Sequence, residues 1–85
     1  VPEALDAEGE RILQALRAWR RGQAAEEGVP AYVVAHDKTL ALIAAAKPRT
    51  KAGLLGVKGM GPKRVERHGD AILRLVREAV GAPEA

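Results

Sequence analysis

The chain has no cysteine and no phenylalanine, and only one tryptophan, one tyrosine and one methionine. Without cysteine, neither a disulfide nor a thiolate-bound metal can hold it together, which is compatible with a reducing compartment. With so few aromatics, the apolar content falls to Ala, Leu, Val and Ile. That composition suits helices meeting through small side chains better than a sheet. No apolar run approaches the roughly 20 residues that a membrane span needs, and Val1-Pro2-Glu3 does not resemble a signal peptide. There are two histidines, His36 and His68, and no third ligand stands at a recognisable spacing from them. A metal site is therefore not expected, nor any cofactor. The only hydroxyls besides Tyr32 are Thr39 and Thr50, both of which read as helix-start residues. Paired acids in a cleft or an activated nucleophile are not evident, so catalysis by this chain is not expected.

What is present fits one small domain, since 85 residues leave no room for a second core. Its expected core spans about residues 6–80, with frayed ends. The abrupt start suggests a module of a longer protein. Net charge is +3, unevenly placed. Residues 1–37 hold seven acids and four bases, a net −3, while residues 38–85 hold ten bases and four acids, a net +6. A basic half suits a polyanion partner. It also suits an ordinary solvated surface, and charge alone leaves both readings open.

Read in order, Val1 to Leu5 is expected to fray. Asp6 is a natural N-cap, with Glu8 and Glu10 at the positive end of the helix that follows. Ile12, Leu16 and Trp19 recur at helical spacing with Leu13 beside them, giving one apolar stripe to about Ala25. Trp19 on that stripe reads as core rather than as a base-stacking residue. Gly28 suits a left-handed cap. Pro30 bars simple continuation, and Ala31 to Val34 reads as a turn or short 3₁₀ segment that plugs Val33 or Val34 into the core. A strand there would have no partner. The Tyr32 ring is either buried with its hydroxyl bonded or exposed as a stacking platform, and position alone does not choose. His36 or Asp37 starts the next helix, whose apolar face of Leu40, Ile43 and Ala44 ends near Lys47. Thr50 caps a short helix over Lys51 to Leu55.

The stretch Leu54 to Arg67 organises the rest. The glycines of Gly59-Met60-Gly61 permit a tight turn. Gly61 reads as an N-cap and Pro62 as a first helical residue, where its missing N–H is no loss. Free amides at such a helix start attract anions, and Lys58, Lys63 and Arg64 surround it. The stretch reads as a helix-hairpin-helix-like phosphate contact, or as a turn that needs its glycines only for geometry. Its second helix is expected to run to about His68, with a kink or break at Gly69 and a fresh cap at Asp70. Ile72, Leu73, Leu75, Val76, Ala79 and Val80 then give a broad apolar face that stops at Gly81-Ala82-Pro83. Over residues 47–67, seven bases face one acid, a net +6.

The order of these elements resembles a known family. It runs through Leu16-Arg17-x-Trp19-Arg20, Gly28-Val29-Pro30-Ala31-Tyr32-Val33-Val34, Asp37-x-Thr39-Leu40 and Pro48-x-Thr50. It continues through Leu54-Leu55-x-Val57-x-Gly59-Met60-Gly61 and Arg67-x-Gly69-Asp70-x-Ile72-Leu73. From about Asp6 to Ala79 this is similar to the HRDC domain (helicase and RNase D C-terminal), most like the copies in bacterial RecQ-type DNA helicases. The resemblance implies an all-α, compact bundle of about five short helices with a 3₁₀ turn. It implies an auxiliary module without catalysis of its own, which binds single-stranded or partly duplex DNA for an enzyme elsewhere in the parent chain. The alternative is docking on a protein, including the helicase core of its own parent chain, through the acidic first third or the small residues Ala41, Ala44, Ala45 and Ala46. The resemblance places a DNA-touching aromatic at Tyr32 and family basic residues at Arg64 and Arg67. Where many members carry an aromatic before the Gly-Asp pair, this chain has His68. The expected nucleic-acid contacts are Tyr32, Lys38, Lys51, Lys58, Lys63, Arg64 and Arg67. The expected setting is the bacterial cytoplasm at the nucleoid, in DNA repair and recombination, with the isolated domain a monomer.

Overall fold

A capped helix opens the fold. In the computed structural model, which describes residues 5–81, α1 spans Ala7–Glu27. Asp6 Oδ1 accepts the Gly9 N–H at 2.7 Å, satisfying one of the donors a helix start leaves free. At the far end Gly28 sits at φ 68 and its N–H donates to the Ala24 and Ala25 carbonyls. The helix thus ends two residues beyond Ala25, at the expected glycine. Leu5 does not fray but packs against the core. The other expected tails, Val1 to Ala4 and Ala82 to Ala85, lie outside the described residues.

The connector after Pro30 forms α2, a single turn over Ala31–Val34. It opens with a 3₁₀-spaced bond from the Val33 N–H to the Pro30 carbonyl at 3.0 Å. It closes with an α-spaced bond from the Ala35 N–H to the Ala31 carbonyl at 3.3 Å. The plug is Val34, which is buried, while Val33 is exposed. Next, α3 runs over Asp37–Ala46 and buries Thr39, Leu40, Ile43 and Ala44. It ends at Lys47, whose φ of 50 is left-handed, and Pro48 prevents further turns. Thr50 caps α4 (Lys51–Leu55) by accepting the Gly53 N–H at 3.0 Å.

The last helix corrects the expected break. α5 is continuous over Pro62–Gly81, and neither Gly69 nor Asp70 interrupts it. A glycine inside a helix costs only about 1 kcal/mol. Here Gly69 is buried against α4: a Cβ added to it would lie 3.8 Å from the Leu54 and Lys51 side chains. Asp70 is not a cap but an exposed mid-helix residue facing Lys51. The bundle has the expected five helices, of which α1 with 21 residues and α5 with 20 are the longest.

These two long helices pack on each other and frame the fold. α1 also packs against α2 and α3, and α4 packs against α5. Ile12 and Leu16 from α1, Leu40 and Ile43 from α3, Leu54 from α4, and Ile72 and Val76 from α5 are all but sealed from solvent. Truncating any of the Leu or Ile residues among them to Ala would cost about 2–5 kcal/mol. The architecture is all-α, with no strand among the described residues. Two polar clasps tighten it. Lys47 Nζ meets Asp6 at 2.9 Å and Glu8 at 2.8 Å, joining the end of α3 to the start of α1. Arg20 Nη1 donates to the Ala35 carbonyl at 3.0 Å and Nη2 meets Asp37 at 2.6 Å. These partners hold the Asp6 and Asp37 carboxyls below their ordinary range: the Gly9 amide first and then Lys47 for Asp6, and Arg20 for Asp37.

Candidate nucleic-acid interface

Residues 56–61 form the turn between α4 and α5. The Val57 N–H donates to the Leu54 carbonyl and the Met60 N–H to the Val57 carbonyl, both at 3.0 Å. Val57 and Met60 are buried and anchor the turn from below. Gly59, at φ +96, lies against α3: a Cβ there would sit 2.2 Å from Thr39 Oγ1. Only glycine fits, because both the backbone angle and the space exclude a side chain. Lys58 is left exposed at the tip. The Val65 N–H donates to the Gly61 carbonyl at 3.0 Å, so Gly61 and Pro62 take the cap and first helical positions.

Arg64 has a structural role that the sequence did not show. From the first turn of α5 its Nε donates to the Val34 carbonyl at 3.2 Å, its Nη2 to Val33 at 3.3 Å and its Nη1 to Gly59 at 3.1 Å. One planar guanidinium therefore joins α2, the glycine turn and α5, a task that suits its rigid fork of donors. The clamp sets α2 beside the start of α5. Between them lies an open groove of about 710 Å³, walled by Val33, Val34, Pro62, Lys63 and Arg67 with His68 at its floor. Tyr32, next to that wall, is 60% exposed. The ring is thus exposed rather than buried. It lies nearly parallel to that of His36, with centroids 6.2 Å apart.

The other expected contacts divide. Arg67 Nη2 meets Glu27 at 3.3 Å and Lys51 meets Asp70 at 3.3 Å, so both have acids beside them. Lys58 and Lys63 are exposed and have no ion-pair partner among the described residues. Lys38 is exposed in the first turn of α3, and its neighbour Thr39 abuts Gly59. The glycine turn thus carries Lys58 next to Gly59, whose carbonyl Arg64 holds, and Lys63 and Arg64 follow in the first turn of α5, with Arg64 also bonded to Val33 beside Tyr32 in the chain. Lys51 and Arg67 lie along α4 and α5 in pairs. Among the described residues no group of three His, Asp or Glu could hold a metal ion, and no helix is long and apolar enough to cross a membrane.

Beneath the groove is a cluster the sequence did not reveal. His68 is buried, and its ring meets Trp19 edge to face at 5.2 Å and 75°. Its Nε2 lies 4.0 Å from Glu27. Burial depresses the imidazole pKa below its ordinary value, and the nearby Glu27 charge opposes this. Glu27 is itself held low, chiefly by the Gln23 amide donating to it at 2.6 Å. The signal for this cluster was the position of His68 where the family carries an aromatic. Nothing in the spacing pointed to the Arg64, Arg20 or Lys47 contacts.

Comparison with known proteins accords with this geometry. Residues 9–76 match the model of the HRDC domain. Over 74 residues the chain is 43% identical to the ATP-dependent DNA helicase UvrD2 of Mycobacterium tuberculosis, covering 87% of this chain and 10% of that protein. It is 35% identical over 63 residues to the ATP-dependent DNA helicase RecQ of Pasteurella multocida, covering 74% of this chain and 10% of that one. The chain thus spans about a tenth of the length of these helicases. Among solved structures it superposes on D. radiodurans RecQ HRDC domain 3 with a TM-score of 0.84 at 38% identity, covering 87% of this chain and 97% of that one. With five helices in the same arrangement and a match that spans the glycine turn and most of α5, the chain belongs to the HRDC domain family.

Proposed function

We propose that this domain is a non-catalytic accessory module of a RecQ- or UvrD-type DNA helicase, and that it helps target its parent by weak binding to single-stranded or partly duplex DNA. The supporting observation is the start of α5, which Arg64 ties to the Val33 and Val34 carbonyls next to the exposed Tyr32, with Lys58 and Lys63 free of carboxylate partners among the described residues. A phosphate strand finds two exposed ammonium groups there, together with the Lys63 and Arg64 amides of a helix start. A base finds an open ring face on which to stack. Binding of this kind is electrostatic and nearly sequence-independent, with Kd of about 10⁻⁴–10⁻⁶ M.

Docking of the acidic first third on a basic partner has less support. Asp6 and Glu8 are held by Lys47, Asp37 by Arg20, and Glu27 by Arg67. Few of those acids remain to attract another protein. Fluorescence anisotropy with labelled oligothymidylate tests the DNA reading: Lys58→Glu with Lys63→Glu should weaken binding while circular dichroism stays unchanged. Equal affinity of the double variant and the parent would remove this corner from consideration.

A further inference from the structure

A second cleft lies at the other end of α5. Eighteen residues separate Pro62 from Val80, which at the helical rise is about 27 Å. The cleft has a volume of about 320 Å³ and lies between the loop after α3 and the last turns of α5. Its floor is Val76, which is almost fully buried, and its walls are Pro48, Leu73 and Val80. Leu73 and Val80 are only half-buried, so the walls present apolar surface to solvent. Arg49 and Arg77 stand at the rim. Both are exposed, and neither has an ion-pair partner among the described residues.

We infer that this cleft is a docking site for an acidic peptide segment that carries a bulky apolar side chain. Aliphatic walls of this size take one Leu- or Phe-sized group. The two rim guanidiniums then face carboxylates on either side of it, and the planar fork of arginine suits them. Nucleic acid fits less well. Its backbone has no apolar group to fill the cleft, and the lining has no aromatic ring on which a base could stack. The site is independent of the Tyr32 corner and stands whether or not that corner binds DNA.

The test is a titration of the ¹⁵N-labelled 85-residue domain with a synthetic hexapeptide holding Phe-Leu between two pairs of aspartates. The same peptide with lysines in place of the aspartates serves as control. The expected result is saturable amide shifts at Arg49, Leu73, Arg77 and Val80, with none from the lysine peptide. Arg49→Glu with Arg77→Glu should raise Kd roughly tenfold, as two exposed ion pairs at a rim allow. These are surface positions, and an unchanged spectrum elsewhere shows that the fold is retained. Three results would overturn the inference: no saturable shift up to millimolar peptide, shifts confined to Lys58 and Lys63, or equal binding of the lysine peptide. Oligothymidylate shifting the same four amides would also overturn it, in favour of a second DNA contact.

Discussion

Arg64 Nε lies 3.2 Å from the carbonyl oxygen of Val34, thirty residues earlier in the chain. A cation expected to meet phosphate also holds main chain. Without it, the Val33, Val34 and Gly59 carbonyls would turn to water and α2 would lose its tie to α5. Charge-assisted bonds to a part-exposed group are individually modest and not additive. Arg64→Ala should therefore cost about 2 kcal/mol, seen as a lower urea midpoint at unchanged m-value. Arg64→Lys should recover less than half of that, because one ammonium cannot span three carbonyls. Full stability of Arg64→Ala would mean that the clamp is incidental.

Two glycines should respond in opposite directions to the same substitution. At Gly59 a new Cβ meets Thr39 Oγ1 at 2.2 Å and the backbone is left-handed. Gly59→Ala should destabilise the domain by about 2 kcal/mol or more, since strain and overpacking both apply. At Gly22, exposed inside α1, a Cβ meets nothing within 4 Å. Gly22→Ala should stabilise by about 0.5–1 kcal/mol through helix propensity alone. Thermal melts of the two variants beside the parent check both signs.

The buried imidazole of His68 gives the domain a pH response near neutrality. Its folded pKa lies below the ordinary 6.5 because burial disfavours the charged form. The facing groups are Glu27, which opposes that shift, and Arg67 and Arg64, which add to it, with the Trp19 edge against the ring. In the window between the two pKa values the unfolded chain binds the proton more readily, so stability falls as pH drops below about 6.5. The carboxyls of Asp6, Glu27 and Asp37 are depressed as well. Their stabilisation is lost only as pH falls below their ordinary values of 3.8 and 4.5. Denaturant midpoints measured from pH 7 to pH 3 should therefore show two separate declines. His68→Phe, which keeps a ring against Trp19, should abolish the first and leave the second. A first decline that persists in this variant would assign it to another group.

Much of the scaffold was legible because its signals are local. Asp6, Gly28, Thr50 and Pro62 mark helix ends through side chains or backbone angles that each residue carries on its own. The apolar periods of α1 and α3 found their buried faces for the same reason. Gly69 misled because a glycine reads alike whether it breaks a helix or lets another helix come close. Only the presence of Leu54 and Lys51 beside it distinguishes the two. The expected DNA-facing set was less legible still. Arg64, Arg67 and Lys51 share their charge with Lys58 and Lys63, and a linear sequence does not show which cations have carbonyls or carboxylates beside them. Tyr32 was ambiguous for the mirror reason, since its exposure depends on which residues of the single-turn α2 face the core, and there Val34 is buried while Tyr32 is exposed.

Cation pairing also sets the expected pattern of DNA affinity. Among the described residues Lys58 and Lys63 have no acid to leave, so each can displace a counterion from a strand at full effect. Lys51 must first give up Asp70, 3.3 Å away. Lys58→Ala with Lys63→Ala should weaken oligothymidylate binding about tenfold at low salt. The slope of log K against log salt should shrink by about 1.4, the value for two lost contacts on a single strand. Lys51→Ala should change affinity less than either lysine alone. Tyr32→Ala should weaken binding by about 1–3 kcal/mol per stacked base while leaving the salt slope intact, because stacking releases no counterions. Anisotropy titrations at three salt concentrations separate these effects. A Tyr32→Ala variant that loses salt dependence along with affinity would show that the ring orders the lysine corner rather than touching a base.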